Sequence, residues 1–208
     1  MEISRKIAEK AHILFIKYGI RGVSMDDIAT DLGISKKTIY QFYPNKDSLV
    51  NTLVDKAIDQ HIFHCKTLVS KSDDAVIELY FLLKYAREFY NVLNANIIHD
   101  LERNHESAYD KLMNHKKLFL YSAIKASIQR GIKAGLYRDD FDVDLIIRFF
   151  LESLALILDT AAFPSTRQTA PKQADELFTC LIHGIVTATG MQVINSYKNQ
   201  EEPDAFNT

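Results

Sequence analysis

Almost nothing in this sequence interrupts a helix. Seven glycines and four prolines are spread over 208 residues. The strict apolar–polar alternation of a half-buried strand is nearly absent. Apolar residues recur every three or four positions instead, the spacing that places them on one face of a helix. The chain is therefore expected to be all-α. Ile7, Ala11, Leu14, Phe15 and Tyr18 line a first helix that Gly19 is placed to end. Ser24 with Asp27 three residues on reads as a capping box for a second helix, Met25 to Leu32, broken by Gly33. Ser35 caps a third short helix that stops at Pro44, and Asn45 caps a fourth. Longer helices follow at about 46–70, 73–93, 95–103, 106–134, 142–162 and 173–196.

The first residues mix charge with apolar positions and contain no uninterrupted apolar leader, and the longest apolar runs, such as "LALIL" at 154–158, are too short to span a bilayer. Two cysteines, Cys65 and Cys180, supply neither a disulfide framework nor a four-thiolate zinc site. A soluble protein of the reducing cytoplasm is expected, with no membrane partner. Net charge is −2, but its distribution is uneven. Residues 1–50 hold eight Lys/Arg against six Asp/Glu, giving +2, and the remainder holds 17 against 21, giving −4. That is the sign expected of a basic head on an acidic body.

Residues 25–44 have the spacing of a helix-turn-helix. Ala29 is small where two helices must cross, and Gly33 falls four residues later, where the turn needs a left-handed backbone. Ile28, Leu32, Ile34, Ile39 and Phe42 are apolar at the inward positions. Lys36, Lys37, Thr38, Tyr40 and Gln41 are then left outward, an inventory suited to phosphates and base edges. Three lysines break a local rule. Lys36 and Lys37 follow the cap Ser35, and Lys46 follows the cap Asn45, at helix starts where a cation is unfavourable by about 0.3–1 kcal/mol. An anion at each start, such as a DNA phosphate, removes the conflict.

The stretch "FIKYGIRGVSMDDIATDLGISKKTIYQFYPNKDSLV" resembles the DNA-binding region of the TetR (tetracycline-repressor) family of bacterial transcription regulators. The match covers about residues 5–50, with "FYPNK" as its small departure. Further on, "GIKAGLYRDDFDVDL" at 131–145 resembles the turn before that family's dimerisation helices. The resemblance implies an all-α homodimer, with a helix-turn-helix domain at 1–48 and a ligand-binding and dimerisation domain at 49–208. It implies phosphate contacts from Thr38, Tyr40 and Lys46, with a further contact from Tyr43 or Phe42. Lys36, Lys37 and Gln41 would face the major groove, and Ser24 would touch the backbone. The implied function is repression at a palindromic double-stranded DNA operator, relieved by a small-molecule effector.

The body gives weaker signals. "DLIIRFFLESLALIL" at 144–158 is apolar nearly all round, and "LFTCLIHGIVTATGMQVI" at 177–194 is similar, with small residues for a close helix approach. Phe150, Leu154, Leu158, Leu181, Gly184, Ile185 and Ala188 are the expected homodimer contacts. Phe81, Tyr85, Phe89, Phe119 and Phe149, together with the polar His61, His99 and Glu152, are the candidates for lining an effector cavity. "HIFHC" at 61–65 and the Glu102/His105 pair invite a metal reading, but di-iron bundles need a second Glu-x-x-His, which does not occur. No H-E-x-x-H, G-x-S-x-G, P-loop or dinucleotide glycine fingerprint is present. No cofactor and no enzymatic activity are expected. The alternatives are an all-α metal-dependent enzyme using the His/Glu cluster, and a constitutive DNA-binding protein without effector.

Overall fold

A computed structural model describes residues 2–72, 74–158 and 170–201 of the chain. Among the described residues ten α-helices carry the fold: α1 (Glu2–Tyr18), α2 (Met25–Asp31), α3 (Lys36–Phe42), α4 (Lys46–Lys71), α5 (Ala75–Asn104), α6 (Glu106–Asn114), α7 (Tyr121–Lys133), α8 (Val143–Leu158), α9 (Ala170–Ile185) and α10 (Ala188–Glu201). A π-helical stretch, His115–Leu120, joins α6 to α7. Among the described residues the only β-type pairing is an isolated bridge between Tyr137 and Val186, and no helix is long and apolar enough to cross a membrane.

The chain divides into two compact units. One comprises Met1–His61 with Asn91–His115, the other Ile62–Tyr90 with Lys116–Thr208. The unit that contains the helix-turn-helix therefore extends past residue 48. Its core draws Ile7, Ala11 and Phe15 from α1, Ile28 from α2, Ile39 from α3, and Leu49 and Val50 from α4. Leu101 and Leu112 close it from α5 and α6. Removing each such aliphatic side chain from water contributes roughly 1.5–3 kcal/mol before chain entropy is subtracted. The core of the second unit gathers Leu79, Leu82 and Leu83 of α5, Ile124 and Ile128 of α7, Ile147, Phe150 and Leu154 of α8, and Phe178 and Ile182 of α9.

Two of the expected helices are divided differently, and a third keeps its span but changes geometry within it. α5 runs unbroken from 75 to 104 where two helices were expected, because "NAN" at 94–96 holds no residue that stops a helix. The expected helix 106–134 is one run of helix whose middle turn widens to π geometry. The expected helix 173–196 is two helices, and here the cause is tertiary. Val186 and Thr187 leave the helix to pair with the turn after α7: Arg138 N–H donates to the Ile185 carbonyl at 2.9 Å and Thr187 N–H to the Leu136 carbonyl at 2.9 Å. The Thr187 hydroxyl then accepts from Gly190 N–H at 3.1 Å and starts α10. The end of the expected helix 142–162 lies outside the described residues.

The α7 turn is itself built on glycine. Gly135, with φ of +70°, ends α7, and the Leu136 N–H returns to the Gly131 carbonyl at 2.8 Å. Tyr137 is thereby folded under α7, its ring lying where a Cβ on Gly131 would stand. The buried Tyr137 hydroxyl donates to the Ala75 carbonyl at 3.0 Å, so the turn is tied to the start of α5.

Candidate nucleic-acid interface and body groove

The first unit assembles its recognition element from short-range capping. Ser24 accepts from Asp27 N–H at 3.1 Å, and the Asp27 carboxylate accepts from Ser24 N–H at 2.8 Å, a complete capping box at the start of α2. Gly33, with φ of +64°, turns the chain from α2 into α3, and Ile34 N–H reaches back to the Ala29 carbonyl at 3.0 Å. Ser35 caps α3 through Thr38 N–H at 3.1 Å, and the two hydroxyls of that pair lie 2.8 Å apart. With Ile39 fully buried, α3 turns Lys36, Lys37, Tyr40 and Gln41 to solvent. Thr38 is half-buried at the edge of that face.

Two of the three anomalous lysines are already partnered. Lys36 forms an ion pair with Asp26 of α2, and the carboxylate raises its pKa. Lys46 is folded inward: its Nζ donates to the Ile20 carbonyl at 2.5 Å and stands 5.8 Å from the centre of the Phe15 ring. Burial lowers its pKa, partly countered by the carboxylates of Asp100, Asp27 and Asp47. Lys37 is exposed and makes no ion pair among the described residues. Repulsion at the helix starts is thus relieved within the protein at Lys36 and Lys46, which sequence spacing alone does not reveal.

Tyr43 is a correction. Expected at a phosphate, it is buried, and its hydroxyl lies 3.0 Å from Ser4 Oγ and 3.2 Å from the Ser4 carbonyl. Phe42, expected to pack inward, is the partly exposed one. The reason is local. α3 ends at Phe42, and Tyr43 takes an extended backbone, with φ of −132°. Helical phase is lost there, and the next side chain swings into the core.

A further set of contacts, not foreseen from the sequence, holds the turn between α1 and α2. Gly19 has φ of +78°, and Asp100 of α5 accepts from Arg21 N–H at 3.0 Å. His105, at the start of α6, is paired with Asp47 at the start of α4. Below them, Lys111 meets Asp55 at 2.8 Å and Ser107 meets Asn51 at 3.0 Å. No sequence signal marked these residues as a group, because the chain separations are 56 to 79 residues.

The second unit carries an open groove of about 880 Å³. Phe81 and Tyr85, both expected to line a ligand site, stand on its α5 wall; α4 contributes His64 and Lys71, and α10 contributes Gln192 and Tyr197. The other ligand candidates are placed elsewhere. His61 is buried in the first unit, with its Nδ1 3.2 Å from His115 Nε2. His99 is exposed. Phe89 and Phe119 are half-buried and outside the groove walls. Phe149 faces solvent, and Glu152 pairs with Lys116 at 2.9 Å. These were marked by their place in helical spacing, which does not separate a side chain facing the groove from one facing another core or the solvent. Among the described residues no group of three or more His, Cys, Asp or Glu is arranged to hold a metal ion.

The expected dimer contacts also divide. Phe150, Leu154 and Ile185 are buried inside their own chain and are not available to a partner. The Leu158 side chain lies outside the described residues. Leu181 is half-buried, Gly184 is exposed on α9, and Ala188 is exposed but belongs to α10 rather than to the same helix. Leu145 and Phe149 of α8 remain outward, with relative exposures of 63% and 51%.

Comparison with known proteins agrees with this architecture. The family model for bacterial regulatory proteins of the tetR family matches residues 7–53. The HTH-type transcriptional repressor KstR2 of Rhodococcus jostii (strain RHA1) is 23% identical over 154 residues, covering 71% of this chain and 74% of its own. The HTH-type transcriptional regulator SAB2452 of Staphylococcus aureus (strain bovine RF122 / ET3-1) is 27% identical over 167 residues, covering 78% and 81%. Among solved structures, a TetR transcription regulator from Haloarcula marismortui ATCC 43049 superposes with a TM-score of 0.75, covering 88% of this chain and 98% of that one at 16% identity, a likeness of fold.

Proposed function

We propose that this chain, which belongs to the tetR family of bacterial regulatory proteins, represses transcription as a homodimer on an inverted-repeat operator and releases it when a small molecule occupies the second unit. The observation that carries the reading is the outward face of α3. Lys37, Tyr40 and Gln41 are exposed together on a helix anchored by the fully buried Ile39. A cation, a phenol and an amide on one rigid face are the donors and acceptors that read base edges and phosphates in a major groove. Residues 1–48 are the DNA-contacting part and 49–208 the part for effector binding and dimerisation. The protein acts by binding, in the cytoplasm, with no cofactor and no catalysed reaction.

The dimer is built on the outward face of α8 and α9, where Leu145, Phe149, Leu181 and Gly184 present apolar and small surface. Two recognition helices fit successive major grooves only when about 34–36 Å apart. An effector that favours a different spacing lowers DNA affinity by its preference between the two states. The groove of the second unit is the place for it.

The test is selection of bound sequences from a random DNA pool, followed by titrations at several salt concentrations. An inverted repeat is expected, with affinity falling steeply with salt as phosphate contacts release counterions. Lys37→Ala should weaken binding and lower the salt slope by about one unit if it meets a phosphate, and should alter the selected bases if it reads them. Recovery of no preferred sequence, or a variant identical in affinity, slope and motif, refutes the assignment to α3.

A further inference from the structure

The groove has a chemistry that narrows its occupant. On α4, His64, Thr67, Leu68 and Lys71 recur at the spacing of one helix face, so the imidazole and the ammonium lie two turns apart along one wall. Three of the four Ser and Thr hydroxyls on the walls are turned back to their own helices. Thr67 donates to the Phe63 carbonyl at 2.9 Å, Ser72 to Leu68 at 2.9 Å and Ser196 to Gln192 at 2.8 Å. Among the described groove residues the one carboxylate is Asp74, which accepts from both Val76 and Ile77 N–H at 2.9 Å and so faces the start of α5. The ammonium of Lys71 is exposed and makes no ion pair among the described residues. Full charge outweighs hydroxyl dipoles in selecting a ligand, and among the described groove residues the charge left facing solvent is the positive one of Lys71.

A second cavity adjoins the first. It holds about 100 Å³ and shares Ile77 and Tyr197 with the groove; Val76, Ile182 and Ile194 give it an apolar side, and Tyr80, Thr179 and His183 complete its walls. Phe81 stands beside this shared wall, its ring edge-on to Tyr197 at 5.7 Å. A ligand along the groove therefore meets an ammonium at the α4–α5 end and an apolar annex behind Tyr197.

We propose that the groove between α4, α5 and α10 binds an amphipathic organic acid, its carboxylate on Lys71 and its apolar part in the annex walled by Val76, Ile182 and Ile194. This rests on the reading of the second unit as the effector-binding part, and it adds the chemical class. The acid pairs with a cation that otherwise faces water, while its chain removes the apolar annex from solvent.

The probes are decanoate, decan-1-ol and decylammonium below their micelle concentrations, titrated calorimetrically into the full-length protein. Decanoate is expected to bind one per chain, about 1.5- to 5-fold tighter than the other two. Lys71→Glu should lower decanoate affinity about tenfold and make decylammonium the preferred probe. Ile194→Phe, which fills the annex, should weaken all three without changing their order. Equal affinities for the three probes, an unchanged decanoate affinity in Lys71→Glu, or no binding at all overturns the proposal. Release of the selected operator, followed by fluorescence anisotropy with the same probes, separates the two readings. Decanoate that binds in this pattern but leaves DNA affinity unchanged supports the site and refutes the effector role. Operator release by decan-1-ol or decylammonium, but not by decanoate, supports the effector role and refutes the proposed class.

Discussion

Asp26 should oppose DNA binding, because it holds Lys36. The pair joins the first turns of α2 and α3 and is largely exposed on both sides, with relative side-chain exposures of 44% and 70%. Asp26→Asn removes a carboxylate from the recognition face and frees the lysine for a phosphate or a base edge. Exposed ion pairs shift equilibria by about 1.5- to 5-fold, so DNA affinity should rise by about that factor near physiological salt. Stability should move the other way. Asp26 lies in the first turn of α2, where an anion contributes roughly 0.3–1 kcal/mol, equal to about 1–4 °C of melting temperature in a chain of this size. The assay is an anisotropy titration on the selected operator, run for the wild type, Asp26→Asn, Lys36→Ala and the double variant. The gain should shrink below about 1.5-fold when Lys36 is absent. If Asp26→Asn binds no tighter than wild type, or tightens equally without Lys36, the pair does not compete with DNA.

Three further outcomes follow. Gly131→Ala places a methyl group in the Tyr137 ring and should cost about 1–3 kcal/mol in denaturant unfolding; an unchanged midpoint would mean the turn relaxes freely. Burial, and then the imidazole of His61, lowers the His115 pKa to about 3, below the ordinary value of about 6.5. The unfolded chain therefore takes up a proton that the folded chain refuses, so this contribution to stability is complete above about pH 6.5 and is lost as pH falls towards 3. Between pH 7 and pH 5 the wild type should lose about 2 kcal/mol more than His115→Leu, and parallel losses in urea melts would contradict the assignment. Phe149→Arg should weaken the homodimer by placing an unpaired charge in its apolar contact; sedimentation that gives the wild-type mass at micromolar concentration would move the interface elsewhere.

Local chemistry was legible in the sequence, while contacts between distant segments were not. The Ser24–Asp27 box, the Ser35 cap and the left-handed Gly33 follow from residues within four positions of one another, and the structure holds all three. The inward positions Ile28 and Ile39 follow from helical phase, which holds in the middle of a helix and weakens at its last residue, where Tyr18 and Phe42 are exposed. It fails across the end of α3, where Phe42, the last helical residue, and Tyr43, the first beyond it, exchange the places expected of them. The division of 173–196 into α9 and α10 was hidden for a different reason. Its cause is a bridge to Tyr137, 49 positions away in the chain, and neither Val186 nor Thr187 is a residue that forbids a helix. Ligand and dimer residues were chosen from apolar or aromatic periodicity, which does not separate a side chain facing its own core from one facing a groove or a partner. Phe150 and Phe149 are adjacent, and one is fully buried while the other is half exposed.

The carboxylate of Asp100 bears on how such regulators can be recombined. Head exchange between paralogues assumes that a recognition module can be cut out at its last helix boundary and grafted onto a foreign body. Here the backbone of the α1–α2 turn is completed by a residue 79 positions downstream of Arg21. A graft that stops near residue 48 would leave that N–H to whatever the recipient carries at the matching place on its own helix. Chimeras from this chain should therefore work when the recipient already supplies an acidic residue there, or when the graft brings residues 91–115 along with the head.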